Sequence, residues 1–509
     1  MKKLMIVAAL LGAAGAAYAD EIADLKAEAD ALKKKNELVN KRLSDIEKRQ
    51  KVLDAHAADL SVAPVKAPVA AAPVDDSISW HGVTLYGAVD AGVGYQAHGT
   101  PYNGFFPQGD NYIVAKASNR ALFLAAPNGL TTSFIGLKGT TEILPGINGI
   151  FRLETGFNPF SGNLANGPGS LVLNNGVPLA AQSSNGDSSR AGQAINGQSY
   201  VGFSSPVLGT VTIGRQNGIL YEDLLAYDAL NGSYGFSILS SGTYNGGGDT
   251  ENARFDQSIK YTWINGPFHA SALYQVGNYG NSGNSSWEHD AVQANAGISY
   301  AGLGIDGVYS KVRGAVALAT LGTTPAFLGS QTLAGTVSDN TAFAVNGKYK
   351  TGPVELFLGY EHIDYANPQN PVSAGFTDLG YIISAVSNTA FPNDKILQVG
   401  WGGAKWQATD HLVVMGAYYH VDQNSYGNGA GAKFSKGVYS GVGPAGCSSN
   451  AFSQCSGSLD AGSIVFDYVF TKHFDVYTGV LYSKVNGGMA SGYLNSWNVA
   501  PTAGARYFF

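Results

Sequence analysis

The stretch GRQNGILYEDLLAYDALNG, residues 214–232, crowds three carboxylates, Glu222, Asp223 and Asp228, into a chain that otherwise carries few charges. Leu220, Leu224 and Tyr227 recur at i, i+4 and i+7, the spacing of one helical face. No catalytic partner accompanies the acids. The chain has no Gly-x-Ser-x-Gly, and His269, His362, His411 and His420 are scattered without metal-ligand spacing. These residues can supply a local negative field, and solvated loop surface is the plainer use of the same charges. Which use applies depends on the elements around them.

Those elements are strands. From residue 80 onward about one side chain in ten is charged, against a typical ~25%. The chain contains 67 glycines, 28 tyrosines and 23 phenylalanines. Few charges, many aromatics and many glycines suit a wall with lipid on one face and water on the other. Sixteen alternating segments are expected: 83–95, 131–142, 148–157, 198–205, 209–217, 252–263, 267–277, 289–301, 303–313, 340–351, 353–364, 394–406, 411–422, 458–470, 474–485 and 500–509. Each approaches the ~10 residues of a tilted membrane strand. Short turns such as LPGIN (144–148) alternate with long polar loops at 96–130, 158–197, 218–251 and 423–457. That alternation predicts an all-β fold, a 16-stranded antiparallel transmembrane barrel over residues 80–509 with both ends on the short-turn, periplasmic side. In RFDQSIKYTW (254–263), Arg254, Asp256, Ser258, Lys260 and Thr262 share one face. Phe255, Ile259, Tyr261 and Trp263 share the other, with Gln257 as the exception. The polar face cannot meet lipid, so it lines a wet lumen. By the same parity Lys138, Arg152, Arg254 and Lys260 are pore-wall bases.

Three segments precede the barrel. Lys2 and Lys3, an apolar run to Ala14 and Ala17-Tyr18-Ala19 describe a secretory signal peptide over 1–19. Residues 20–60 carry an unbroken 3-4 repeat from Ile22 through Leu25, Leu32, Leu43 and Leu53 to Leu60, the pattern of an α-helical coiled coil. Asn36 and Gln50 occupy polar a positions, which set register and strand number. At ~1.5 Å per residue the rod would be about 58 Å long. Residues 61–79, with Pro64, Pro68 and Pro73, read as an extended linker. The even strand number places the coiled coil in the periplasm. Cys447 and Cys455, eight residues apart in a Gly/Ser-rich loop, are expected to form a local disulfide in an oxidising compartment. A net charge of −6 implies no nucleic-acid partner, and no cofactor or metal site is expected.

Several runs resemble the trimeric general porins of Gram-negative bacteria. VTLYGAVDAGVGY (83–95) is similar to their first strand, and GLKGTTEILPGINGIFRLETGFNP (136–159) to their G-x-K-G-x-E…F-x-L-E-x-G-F run. YVGFSSPVLGTVTIGRQ (200–216), RFDQSIKY (254–261), DYVFTKHFDVYTGVLYSKVN (467–486) and GARYFF (504–509) follow in order. Two bases common in the family are absent, at Ser133-Phe134 and in NGQSYVGF, so an anion preference does not carry over. The resemblance implies a passive outer-membrane channel whose third external loop, here 218–251, folds inward. Glu222, Asp223 and Asp228 would then face wall bases across a constriction, with a transverse field that favours polar solutes. It also implies a homotrimer, contact with outer-membrane lipid, and a C-terminal signal, Tyr507 and Phe509, read by the barrel-assembly machinery. Arg215, by parity on the outer side, would need a bulge to turn it. Other functions compatible with the sequence are a sugar-selective porin and an envelope tether in which the rod touches peptidoglycan. An outer-membrane enzyme is disfavoured for want of a nucleophile–base set.

Overall fold

The computed structural model describes residues 78–99, 116, 119–160, 162, 194–240, 254–276, 290–318, 332–366, 376–378, 381–384, 394–424, 433–435, 438–440, 456–487 and 495–509, with isolated positions between 26 and 44. The chain divides into two compact units, Met1–Val62 and Ala63–Phe509. In the first, Lys26, Lys33, Lys34, Glu37, Lys41 and Ser44 are helical and exposed. The expected apolar seam with Asn36 and Gln50 lies outside the described residues, as do Cys447 and Cys455.

The second unit is a closed antiparallel barrel of sixteen staves. In chain order the strands are β1 Ile78–Trp80, β2 Val83–Gln96, β3 Leu122–Pro127, β4 Ser133–Leu144, β5 Ile147–Phe157, β6 Ser199–Ser205, β7 Gly209–Asn217, β8 Arg254–Asn265, β9 Phe268–Gln275, β10 Asp290–Tyr300 and β11 Leu303–Leu318. They continue as β12 Thr332–Thr351, β13 Val354–Ala366, β14 Phe376–Asp378, β15 Tyr381–Ser384, β16 Lys395–Gln407, β17 Leu412–Gln423, β18 Lys433–Ser435, β19 Val438–Ser440, β20 Gly457–Thr471, β21 Phe474–Gly487 and β22 Trp497–Phe508. β3 and β4 both pair with β2 and form one stave in two pieces. β22 pairs with β2 at 88–94, and β1 pairs with the same edge at 83–85, so these two share the closing stave. β14 and β15 extend the wall beside β12, and β18–β19 is a separate hairpin.

Pleat and solvent account for the wall. Ile135, Leu137, Val201, Phe203, Val211, Ile213, Val345, Leu356 and Leu358 point outward and are exposed, an apolar belt suited to lipid. Tyr300, Tyr349, Trp406, Tyr468, Phe470 and Tyr507 expose rings close to the short turns, where an aromatic girdle meets the membrane interface. Short turns at 145–146, 206–208, 266–267, 301–302, 352–353, 408–411 and 472–473 lie at one end and the long connections at the other.

Three features depart from simple alternation. β11 and β12 extend to Leu318 and from Thr332, well past the expected 303–313 and 340–351. The second stave is broken at 128–132, where Asn128 has φ 60°. The Asp90 carboxylate, fully buried on β2, accepts from the amides of Leu130 and Thr131 at 2.8 and 2.7 Å and so fixes that break. On β8 an extra residue at Gln257 (φ 51°) opposes the Gly214–Gln216 step of β7. Phe255, expected on the lipid face, is instead fully buried beside Gly218.

Candidate functional site

Among the described residues, 219–239 form a continuous segment packed against the inner wall. After β7 the chain forms α1, Ile219–Ala226, and continues through residue 239 along the inner wall. Leu220, Leu224 and Tyr227 are buried, as their helical spacing predicts. Burying each leucine contributes about 1.5–3 kcal/mol. Gln293 on β10 accepts from the Leu220 amide at 3.3 Å. Asn346 on β12 donates to Asp223, and the Tyr227 hydroxyl donates to Asp306 on β11. Trp401 on β16 donates to the Tyr227 carbonyl at 3.0 Å, and Tyr419 on β17 to Asp228 at 2.8 Å. Ser463 on β20 donates to the Phe236 carbonyl, and the Phe236 ring meets Tyr477 on β21 edge-on at 6.1 Å. The Gly235 amide then bonds the Gly129 carbonyl at 2.8 Å, inside the break of the second stave. Every wall residue in this chain alternates with an exposed outward neighbour or pairs with one that does: Asp306 follows Ile305, Asn346 follows Val345, and Tyr419 follows Tyr418. Residues 219–239 therefore form a strap on the lumen face.

The three acids divide by role. Glu222 is partly exposed and forms an ion pair with Lys260, on the strand that follows the strap. Asp228 is fully buried and accepts from Tyr419 and from the amides of Leu230 and Gly232, at 3.3 and 2.8 Å. Asp223 is buried against Asn346. Burial pushes both aspartate carboxyls above their ordinary range; for Asp223 the neighbouring Asp306 charge adds to it. The sequence placed all three acids toward the pore. The fold instead buries Asp223 and Asp228 in hydrogen bonds to Asn346 and Tyr419 of the wall and leaves Glu222 partly exposed beside Lys260.

The expected wall bases are also spread unevenly. Lys138 and Arg152 face each other across β4 and β5. Arg152 pairs with Glu154 at 2.6 Å, and Arg152 Nε donates to the Tyr86 hydroxyl, which donates to Glu154 at 2.8 Å. The Lys138 ammonium stands 5.0 Å from the Tyr86 ring and is exposed. Arg152, Glu154 and Tyr86 thus form a base–acid–tyrosine network, with Lys138 beside it. Arg254 lies past the β8 bulge with its Nε enclosed. Arg215 is turned inward of solvent by the same irregularity and clasps Asp256 at 2.6 Å and the Gly197 carbonyl at 3.0 Å. Tyr507 is an outward, half-exposed ring, and Phe509 pairs with Gly87 through backbone bonds of 3.0 and 3.1 Å. Asp90, Tyr419, Trp401 and Tyr477 escaped the sequence reading. Asp90 alone had a visible signal, a carboxylate in the middle of an otherwise apolar first strand.

Residues 55–488 match the Gram-negative porin family. The chain belongs to that family. It is also 25% identical over 179 residues to an outer membrane porin protein of Bordetella pertussis, a match covering 35% of this chain and 38% of that relative. In fold it is similar to an anion-selective porin from Comamonas acidovorans, with a TM-score of 0.53 at 15% identity over 84% of this chain and 99% of that one. A trimer form of the outer membrane protein OmpT of Vibrio cholerae gives 0.50 at 13% identity, over 84% of this chain and 99% of the other. This is a family of outer-membrane channels and not of enzymes.

Proposed function

We propose that this porin passes small hydrophilic solutes and ions passively across the outer membrane, and that the strap 219–239 narrows its passage. The observation that carries this reading is the run of bonds from the strap to inward residues of β10, β11, β12, β16, β17 and β20. Glu222, with Lys260, then forms the charged edge of the constriction, and Lys138, Arg152 and Arg254 contribute the remaining wall charge. Asp223 and Asp228 act on the pore through the strap they anchor.

Single-channel recording in a salt gradient tests this. Glu222→Gln removes one negative charge and should move the reversal potential toward anion preference. Reversal potential and conductance both equal to wild type would refute the constriction.

The 3-4 repeat over 20–60 and the trimeric state of one similar fold favour a homotrimer joined by a periplasmic coiled coil, with residues 1–19 removed as a signal peptide. The intact mass of the detergent-purified complex reads both points; a monomer mass rejects the first. A local Cys447–Cys455 disulfide should add no intermolecular species on non-reducing gels and should lower the mass by two hydrogens. The rod bears on peptidoglycan if deleting 20–77 abolishes co-sedimentation with cell wall. The C-terminal Tyr507 and Phe509 serve as the assembly signal if a peptide of residues 497–509 competes with folding by the assembly machinery.

A further inference from the structure

Beneath α1 the inner wall holds more carboxylate than its neighbours can satisfy. Asp223 is 2% exposed and Glu361, on β13, is 0% exposed. Neither carboxylate oxygen of Glu361 has a hydrogen-bond partner. The amide oxygen of Asn346, a residue 1% exposed, is likewise enclosed and unpartnered, although its Nδ2 donates to Asp223. Strand register brings these groups to one place. Asn346 stands opposite Gly359, and its Oδ1 lies 2.6 Å from where a Cβ on residue 359 would sit. Glu361 is the next inward position along β13. Its own cross-strand neighbours, Ala344 and Val399, cannot donate from their side chains.

The surrounding bases are already engaged. Lys348 donates to the Ala226 carbonyl at 3.3 Å and lies 5.0 Å from the Tyr227 ring. His269 contacts Asp306 at 2.7 Å. Protonating Glu361 would resolve only part of the site: its hydroxyl would donate to one acceptor such as Asn346 Oδ1, and its carbonyl oxygen would still find no donor. A buried carboxylate without partners is strongly unfavourable. A cation answers every open lone pair at once. The donors are all oxygen, two carboxylates and one amide, which suits a hard cation and not a soft or borderline one. Among the described residues no cluster of three His, Cys, Asp or Glu side chains forms a metal site, so this one depends on the amide oxygen and on water to complete its shell.

We propose that Glu361, Asn346 Oδ1 and Asp223 bind a divalent, oxygen-seeking cation of the calcium class, which fastens α1 to β12 and β13. Two carboxylates balance its charge. The site anchors the strap whether or not the strap narrows the pore, so it stands or falls apart from the conductance reading.

The probe is terbium on the full chain in detergent, stripped beforehand with chelator. The Trp401 indole lies against Gly359 and is placed to sensitise a lanthanide bound there. Tryptophan excitation should give terbium emission that calcium displaces and that Glu361→Gln abolishes. Calcium should also raise the thermal unfolding midpoint of the wild type and not that of Glu361→Gln. Absent emission in the wild type, or emission and calcium shift both unchanged in Glu361→Gln, overturns the proposal and leaves Glu361 to water. Should Glu361→Gln fail to fold, Trp401→Phe decides. Emission lost with the calcium shift kept supports the site, and emission unchanged places the terbium elsewhere and overturns it.

Discussion

Asp228 shows how a side chain expected to face the pore can be enclosed by the fold. An acid in a polar loop suggests a pore lining; here it is fully enclosed among donors, and burial raises its titration. A raised folded value means the folded chain holds the proton more tightly than the unfolded chain. The cost of ionised Asp228 is therefore fully present above its folded titration and is relieved as pH falls through it. Asp228→Asn removes the charge and keeps one acceptor oxygen, for Tyr419 and Leu230, while its NH2 replaces the oxygen that accepts from Gly232. Its unfolding midpoint should lack the fall that the wild type shows as pH rises through the Asp228 titration, so its difference from wild type should change with pH. Asp228→Ala leaves those donors unmet and should cost about 1–3 kcal/mol per buried group. Unfolding midpoints across pH check both; a constant offset for Asp228→Asn would show that its charge is not what matters. Glu222 makes the complementary case, since it is partly exposed and forms an ion pair with Lys260, and the proposed constriction rests on that charge.

At the scale of elements, alternation made the staves legible, and tertiary contact hid the rest. All sixteen expected segments correspond to staves, because one face must be apolar toward lipid. The helical face of Leu220, Leu224 and Tyr227 located α1 for the same reason. What could not be seen was the strap's footing. Trp401, Tyr419 and Tyr477 point inward yet are large and buried, so β16, β17 and β21 look apolar on both faces. Only the strap's position explains them. Nor could local sequence reveal the bulge at Gln257, which takes Phe255 and Arg254 out of step with Lys260. The footing is nevertheless testable. A Cβ at Gly359 would come within 2.0 Å of the Trp401 ring. Gly359→Ala should displace that indole, break its bond to Tyr227 and loosen the strap while sparing the β12–β13 register. Channels should then show higher and noisier conductance with unchanged barrel yield. Conductance traces indistinguishable from wild type would mean the strap does not depend on Trp401.

The whole molecule closes through one stave built from both ends of the barrel unit. β22 runs to Phe508, Phe509 exchanges two backbone bonds with Gly87, and β1 continues along the same edge of β2 from Ile78. In lipid an unpaired edge has no water to satisfy it, so closure is worth more than the ~0.5–1.5 kcal/mol net of an ordinary hydrogen bond. A Cβ at Gly87 would meet the Phe509 ring and the Phe134 carbonyl, each at 2.5 Å, so the ring fills a gap that glycine leaves open. Two changes separate closure from recognition of the terminal aromatic. Deleting Phe509 removes both, and should sharply reduce the folded, heat-modifiable species during refolding from urea into detergent, where no assembly machinery is present. Phe509→Leu keeps the backbone bonds and an apolar side chain, so it should refold in detergent nearly as wild type while assembling poorly in cells. Equal refolding of the deletion and the wild type would mean that β1 and β22 seal the barrel without the last residue. Deleting 20–77 stops short of Ile78 and leaves the closing stave whole, so that variant should refold and conduct as the full chain does. A loss of folded barrel there would make the N-terminal unit part of closure itself.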